Sequence, residues 1–315
     1  MKRPLIILTG PTAVGKTELS LGLAKMINGA VISADSMQVY RHMDIGSAKI
    51  KPEEMQGIPH YLVDVLEPEE EFHVVRFQEY AKACMEKIYQ QGQIPIVTGG
   101  TGFYIQALLY GIDFTSQQED KEYRKYLEQI ARTRGPAALH EMLAQIDEKS
   151  AEIIHENNVR RVIRALEFYH LSGQKISEHN EQERMRCSPY HFAYFVLNDD
   201  RNRLYERIEQ RVDQMMAEGL LEEVAKLKEM GCRKHMTSMQ GLGYKELLDY
   251  LEGNCTLEEA VYRIKRDTRH FAKRQLTWFR REREVIWISK PEFDDQNDRI
   301  LAYMKKILKE KQIYP

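Results

Sequence analysis

Cysteine is scarce, with four in 315 residues. Cys84, Cys187, Cys232 and Cys255 are far apart and form no C-x-x-C pair, which excludes a disulfide framework and argues against a structural zinc site. They read as reduced thiols of a cytosolic protein. An excess of one charge is also missing. The 46 Lys and Arg nearly balance 48 Asp and Glu, a formal net charge of −2, so bulk charge selects no polyanion and no membrane surface. Long apolar runs are absent near the start, where Leu5-Ile6-Ile7-Leu8 is too short for a signal peptide or a membrane span. A cytoplasmic chain with no membrane partner is expected. No internal repeat and no low-complexity segment appears. The hydrophobic share, 43%, is ample for a core, and the length allows one large domain or two smaller ones.

Against that plain background one stretch stands out. Gly10, Pro11, Thr12, Ala13, Val14, Gly15, Lys16 and Thr17 fit G-x-x-x-x-G-K-[ST]. The apolar run Leu5–Leu8 before it reads as a buried strand, and Leu19, Leu23, Met26 and Ile27 after it fall at helical spacing. Strand, glycine loop and helix together make a P-loop, a cradle whose backbone N–H groups and helix dipole hold an anion. Lys16 would neutralise phosphoryl oxygens, and the Thr17 hydroxyl would take a Mg²⁺ ligand position. The motif marks polyphosphate sites, ATP sites among them, without choosing a reaction. A glycine turn with no ligand is the plain alternative.

Strands are expected at Leu5–Thr9, Ala30–Ala34, Tyr61–Val65, Pro95–Thr98, Phe192–Leu197 and Val285–Ile288. Helical stretches separate most of them, the pattern of an α/β fold with a parallel sheet flanked by helices. From about Thr115 to about Pro189 no strand interrupts a series of helices, punctuated by Gly135-Pro136 and Ser172-Gly173. The expected organisation is a P-loop NTPase-like core, residues 1–114 and 190–315, with an all-helical insertion at 115–189. A long helical stretch from Arg201 to Met230, a turn at Gly241-Leu242-Gly243, and helices from Leu257 to about Arg280 complete the chain.

Ligands of open α/β sheets bind beyond the carboxyl ends of the strands. Asp35, in Ser33-Ala34-Asp35-Ser36-Met37-Gln38, ends the second strand and would stand at the same edge as the cradle. It could bind metal, pair with a cation or move a proton, or simply cap a turn. Asp64, after Tyr61-Leu62-Val63, imitates the acidic element that assists Mg²⁺ in ATPases but reads as a strand-end turn. Thr98-Gly99-Gly100-Thr101-Gly102 brings backbone close to something, with Thr101 offering a hydroxyl. Arg160 and Arg164 share a helix face beside Arg161, and Arg203, Arg207 and Arg211 recur at i, i+4 spacing. Between Tyr262 and Arg283 nine Lys or Arg meet two acids. Arg263, Arg266, Arg269, Lys273 and Arg280 make a helical stripe that favours a polyanion, while Gln275 and Trp278 turn toward the core. At this point a small-molecule or nucleoside kinase and a nucleotide-gated RNA-binding module both remain open.

The pieces in this order resemble the tRNA dimethylallyltransferase family, also called tRNA isopentenyltransferases. The residues carrying the resemblance are Gly10–Thr17, Asp35–Tyr40, Asp44–Lys49, Gly99–Gly102, Arg164–Glu167, Arg207-Ile208 with Arg211-Val212, Gly243-Tyr244, and Lys273-Arg274-Gln275 with Thr277-Trp278 and Arg280. They span nearly the whole chain. Ser47 stands where the family usually has threonine, and Tyr61 where a second histidine is usual. The cysteine/histidine zinc-finger extension of eukaryotic members is not seen, so the chain is expected to be of bacterial or organellar type.

The resemblance implies a prenyl transfer. The N6 amine of adenosine 37, next to the anticodon in tRNAs reading codons that start with U, attacks the first carbon of dimethylallyl diphosphate. Diphosphate leaves. The P-loop would hold the leaving group with Lys16, Mg²⁺ on Thr17 and Arg211, and Asp35 would accept the amine proton. The family's tRNA contacts map onto Asp35, Ser36, Met37, Gln38, Thr101, Arg124, Arg160, Arg161, Arg164, Gln240, Gly243 and Lys245. Lys273 and Arg280 join them from the basic stripe. The expected partners are the tRNA anticodon stem-loop, gripped by core and insertion, and dimethylallyl diphosphate; the chain is expected to act as a monomer.

Overall fold

The strand before the glycine loop, β1 (Arg3–Thr9), carries no polar alternation. Leu5, Ile6, Ile7 and Leu8 are all buried. A strand covered on both faces needs apolar residues on both, and this is what a central parallel strand with helices above and below demands. The computed structural model describes residues 2–112, 114 and 120–314. Around β1 it forms a six-stranded sheet with β2 (Gly29–Ser33), β3 (His60–Tyr61), β4 (Ile94–Gly99), β5 (Tyr190–Asn198) and β6 (Val285–Ser289). Their order is β3-β2-β4-β1-β5-β6, and every pairing is parallel. Ile6 of β1 stands opposite Ile96 on one side and Ala193 on the other. The expected α/β architecture of P-loop type is therefore the one formed.

The chain divides into two compact units, Met1–Leu109 with Pro189–Pro315, and Tyr110–Ser188. In the first, α1 (Lys16–Ile27) and α13 (Asn297–Glu310) bury Leu19, Leu23, Ile27, Ile300, Met304 and Leu308 in one cluster with β1 and β5. Helix α9 (Arg201–Ala217) adds Leu204 and Ile208 to it, and α12 (Leu257–Phe279) adds Ala272. Helix α2 (Val74–Gln90) packs on β2 and β4. Because strand order reverses about β1, its carboxyl end, where α1 begins, is the switch point at which open α/β sheets bind ligands.

The second unit is built from α4 (Lys121–Thr133), α5 (Pro136–Ile146), α6 (Glu148–Ile153), α7 (Val159–Ser172) and α8 (Ile176–Met185), with no strand among its described residues. Leu127, Ile130, Leu139, Leu143, Val162, Ile163 and Leu166 form its own core. The expected boundary at residue 115 falls within 115–119, outside the described residues.

Two expectations need correction. The strand expected at Tyr61–Val65 stops after Tyr61, because Leu62 and Asp64 take positive φ of 63° and 55°. The helical stretch from Arg201 to Met230 is two helices. Gly219, at φ 101°, ends α9 and starts α10 (Leu220–Glu229). No helix among the described residues is long and apolar enough to cross a membrane.

Candidate active site

The loop between β1 and α1 is held in a conformation that local chemistry alone would not choose. Gly10, Ala13 and Gly15 have φ of 152°, 63° and 91°. At Gly10 any side chain would also meet the backbone, since a Cβ there would lie 2.6 Å from the Leu197 carbonyl oxygen. Gly15 precedes α1 with no side-chain cap, so the first N–H groups of the helix are left for another acceptor. Lys16 folds back over the loop, its Nζ donating to the carbonyls of Gly10 at 3.0 Å and Pro11 at 2.8 Å. The residue is half-buried at the surface, but its ammonium is turned inward. Burial first, and the Arg211 charge second, pull its pKa from 10.5 down to about 7, against the opposing pull of Asp35. An ammonium so destabilised gains most when a phosphate arrives. Thr17 is exposed, and its hydroxyl has no hydrogen-bond partner among the described residues.

Asp35 follows β2 at the same sheet edge. Its Oδ1 accepts from the N–H of Met37 at 2.8 Å and of Gln38 at 3.3 Å, capping the turn after the strand. Its Oδ2 has no hydrogen-bond partner among the described residues. The capping and chemical readings of Asp35 are thus not exclusive: one oxygen shapes the turn and the other is left unbonded by the described residues. Lys16, Asp35 and Arg211 sense one another electrostatically. Burial lowers the pKa of the Arg211 guanidinium, with Asp35 opposing. Arg207, one turn earlier on α9, is differently placed. Its Nη1 lies 2.5 Å from Oδ2 of Asp199, a fully buried carboxylate. Arg211 has no such partner among the described residues.

The Gly99–Gly102 loop is explained mainly by packing. A Cβ on Gly99 would run into the Ala34 carbonyl, one on Gly100 into Gln275, and one on Gly102 into the Trp278 ring. Thr101 donates its N–H to the Ala34 carbonyl at 3.2 Å. Gln275 is the residue whose role sequence reading missed. Buried on α12, it accepts from the Thr12 N–H at 2.9 Å and donates to the Gly100 carbonyl at 2.9 Å. One amide thereby ties the cradle, the glycine loop and the basic helix together. Its inward face was legible from helical spacing, but its partners were not.

The remaining candidates separate by what they already touch. Gln38 is a brace, accepting from Ser33 at 2.9 Å and donating to the carbonyls of Ser47 and Ala48 at 3.3 Å. Ser47 donates to the Met43 carbonyl at 2.6 Å, a bond that needs a hydroxyl and not a threonine. Asp64 is no metal element: with Asp44 it binds the buried Lys49, each at 2.6 Å. Met37 reaches the Gly241 turn, where a Cβ would lie 2.8 Å from its sulfur, so Asp35–Gln38 and Gln240–Lys245 are neighbours. Ser36 is half-buried there. Gln240 donates to the Lys234 carbonyl, Gly243 at φ 95° opens α11 (Tyr244–Leu251), and Lys245 lies 3.5 Å from Glu246.

In the helical unit, Arg124 is bidentate on the buried Glu167 at 2.7 and 2.8 Å, a packing pair. Arg160, Arg161 and Arg164 are exposed on α7 with no ion-pair partner among the described residues.

The basic stripe on α12 is only partly unopposed, which corrects the sequence reading. Arg263 meets Glu259 and Asp249, Arg266 meets Asp267, and Arg269 meets Glu209 of α9. Three of those four acids lie outside the window in which signs were counted. Lys273 and Arg280 are exposed and have no ion pair among the described residues.

A bound Mg²⁺ fits this donor set in one manner only. No group of three His, Cys, Asp or Glu side chains is placed to hold a metal among the described residues. The unpartnered Thr17 hydroxyl at the cradle suits an ion that keeps several waters and takes its other ligands from phosphate oxygens.

A family model described as IPP transferase matches residues 38–282. A relative named tRNA dimethylallyltransferase, from Lachnoclostridium phytofermentans, is 60% identical over 311 residues, 99% of each chain. Among solved structures, a tRNA isopentenylpyrophosphate transferase from Bacillus halodurans is 45% identical with a TM-score of 0.74, over 99% of this chain and 98% of that one. A eukaryotic dimethylallyltransferase described as acting on tRNA is 30% identical with a TM-score of 0.82, over 98% of this chain and 80% of that one. With that match across most of its length, on a fold and cradle of the kind just described, the chain belongs to the IPP transferase family.

Proposed function

We propose that this protein is a tRNA dimethylallyltransferase. It moves a dimethylallyl group from dimethylallyl diphosphate to N6 of adenosine 37 in tRNAs that read codons starting with U, acting as a cytoplasmic monomer. The observation that carries the mechanism is the meeting, at one sheet edge, of an uncapped P-loop with an arginine and a carboxylate oxygen that have no partner among the described residues.

The N6 lone pair attacks the first carbon of the donor as the carbon–oxygen bond breaks, and that bonding pair leaves with diphosphate. Negative charge grows on the departing oxygen. Lys16, Arg211 and the α1 N-terminus absorb it, and their pull strengthens toward the transition state. Mg²⁺ on the Thr17 hydroxyl would add charge neutralisation at the same oxygens. As the new carbon–nitrogen bond forms the amine turns acidic, and Oδ2 of Asp35 takes its proton. The adenine must leave its stack to reach a carbon held at the cradle. Arg160, Arg161, Arg164, Lys273 and Arg280, with no acid partner among the described residues, serve the tRNA backbone.

The test uses unmodified tRNA with either dimethylallyl diphosphate or ATP, followed by digestion. Prenylated adenosine should appear with the first donor, need Mg²⁺ and be suppressed by pyrophosphate. Release of ADP without a prenylated product would put a kinase in its place.

A further inference from the structure

Lys290 is the residue after β6, and only 9% of it is exposed. Its ammonium makes no hydrogen bond and no ion pair among the described residues. Asp295, a carboxylate within electrostatic reach, is engaged by Arg203 at 2.6 Å. The stem of the side chain is buried while its Nζ keeps access to solvent, so the cost lies in the place, one positive group set beside another. A Cβ on Gly15 would lie 3.2 Å from Lys290 Nζ. The ammonium is therefore aimed at the start of α1, whose free N–H groups already carry partial positive charge. Helix α1 runs 12 residues, so that partial charge is well developed. β6 lies beside β5, with Ser289 opposite Asn198, so Lys290 emerges at the carboxyl edge of the sheet.

An ammonium beside an uncapped helix start is unfavourable until an anion stands between them. Lys16 does not fill that place, because its Nζ is turned to the carbonyls of Gly10 and Pro11 at the other end of the loop. We infer that Lys290 is a second ammonium ligand of the bound anion, serving a phosphoryl group at the Gly15 end of the cradle. This rests on the diphosphate reading of the site and extends it. A diphosphate has two phosphoryl groups, and the cradle then offers a lysine for each. Lys290 lies outside the P-loop pattern and outside every segment that carried the family resemblance.

The experiment measures pyrophosphate affinity by calorimetry, together with melting of the ligand-free protein, for wild type, Lys290→Met, Lys290→Gln and Lys290→Arg. A charged hydrogen bond is lost, so affinity should fall about 10- to 100-fold in the Met and Gln variants. Lys290→Arg should recover part of it. Ligand-free melting temperature should stay level or rise in Lys290→Met, since a positive charge beside the start of α1 has gone. tRNA affinity should not move. Pyrophosphate affinity within two-fold of wild type in the Met and Gln variants overturns the inference. So does a lowered melting temperature in both, which would make Lys290 a structural cation held through Asp295. Failure of the wild type to prenylate tRNA, with pyrophosphate binding still dependent on Lys290, would sink the transferase reading and leave the anion site standing.

Discussion

One oxygen of Asp35 caps the turn and the other is the proposed base, and that division sets the right substitution. Asp35→Asn keeps Oδ1 as acceptor for the Met37 and Gln38 N–H groups, so the turn after β2 survives. It would remove the proposed base. Turnover should fall by about 10²- to 10⁴-fold, the usual worth of a positioned proton acceptor, while tRNA affinity changes little. Near wild-type single-turnover rates would return Asp35 to the status of a cap. Lys16 offers a pH test. Its folded pKa, about 7, lies below its ordinary 10.5, so the unfolded chain binds the extra proton between those values. Its contribution to stability therefore rises with pH across that window. Diphosphate bound at the proposed site would push the pKa back up, so binding at pH 8 should take up protons. Titration calorimetry in buffers of different ionisation enthalpy reads this directly, and the uptake should shrink in Lys16→Ala. Equal uptake in the two proteins would show that Lys16 is already charged in the empty cradle.

Helix α12 shows how an element differs from its sequence pattern. Helical spacing correctly put Lys273 and Arg280 on an exposed face and Gln275 on a buried one. It could not show that Glu209, Asp249 and Glu259 neutralise the first half of the stripe. The expected polyanion contact therefore narrows to the second half. Lys273→Ala with Arg280→Ala should flatten the slope of log tRNA affinity against log salt by about 0.7–0.9 per lost phosphate contact. Arg263→Ala with Arg269→Ala should leave the slope unchanged, because exposed pairs of that kind contribute little and meet no phosphate. A steeper loss from the second pair would reverse this assignment. At the same scale, the Gly99–Gly102 loop looked like a ligand-binding loop. It is glycine-rich chiefly because Ala34, Gln275 and Trp278 press against it.

At the scale of the molecule, two units with separate cores should not unfold as one. Scanning calorimetry should resolve more than one transition. Pyrophosphate should raise only the transition of the unit that holds the cradle, since a ligand stabilises what it binds. A single transition that shifts as a whole would show that the units are energetically joined. The sequence by itself determined the features written over short spans: β1, the glycine loop and α1 within 27 residues, Asp35 at a strand end, the helical insertion and the basic face of α12. Strand propensity, helical spacing and turn chemistry act between near neighbours, so a linear reading recovers them. Only the tertiary structure decided which charges are spent and which are free. Asp199 takes Arg207 and leaves Arg211, and Gln275 reaches a backbone N–H 263 residues away. Lys290 arrives at Gly15 from the other end of the chain. Burial and pairing depend on what folding brings within a few ångströms, and no local pattern records that.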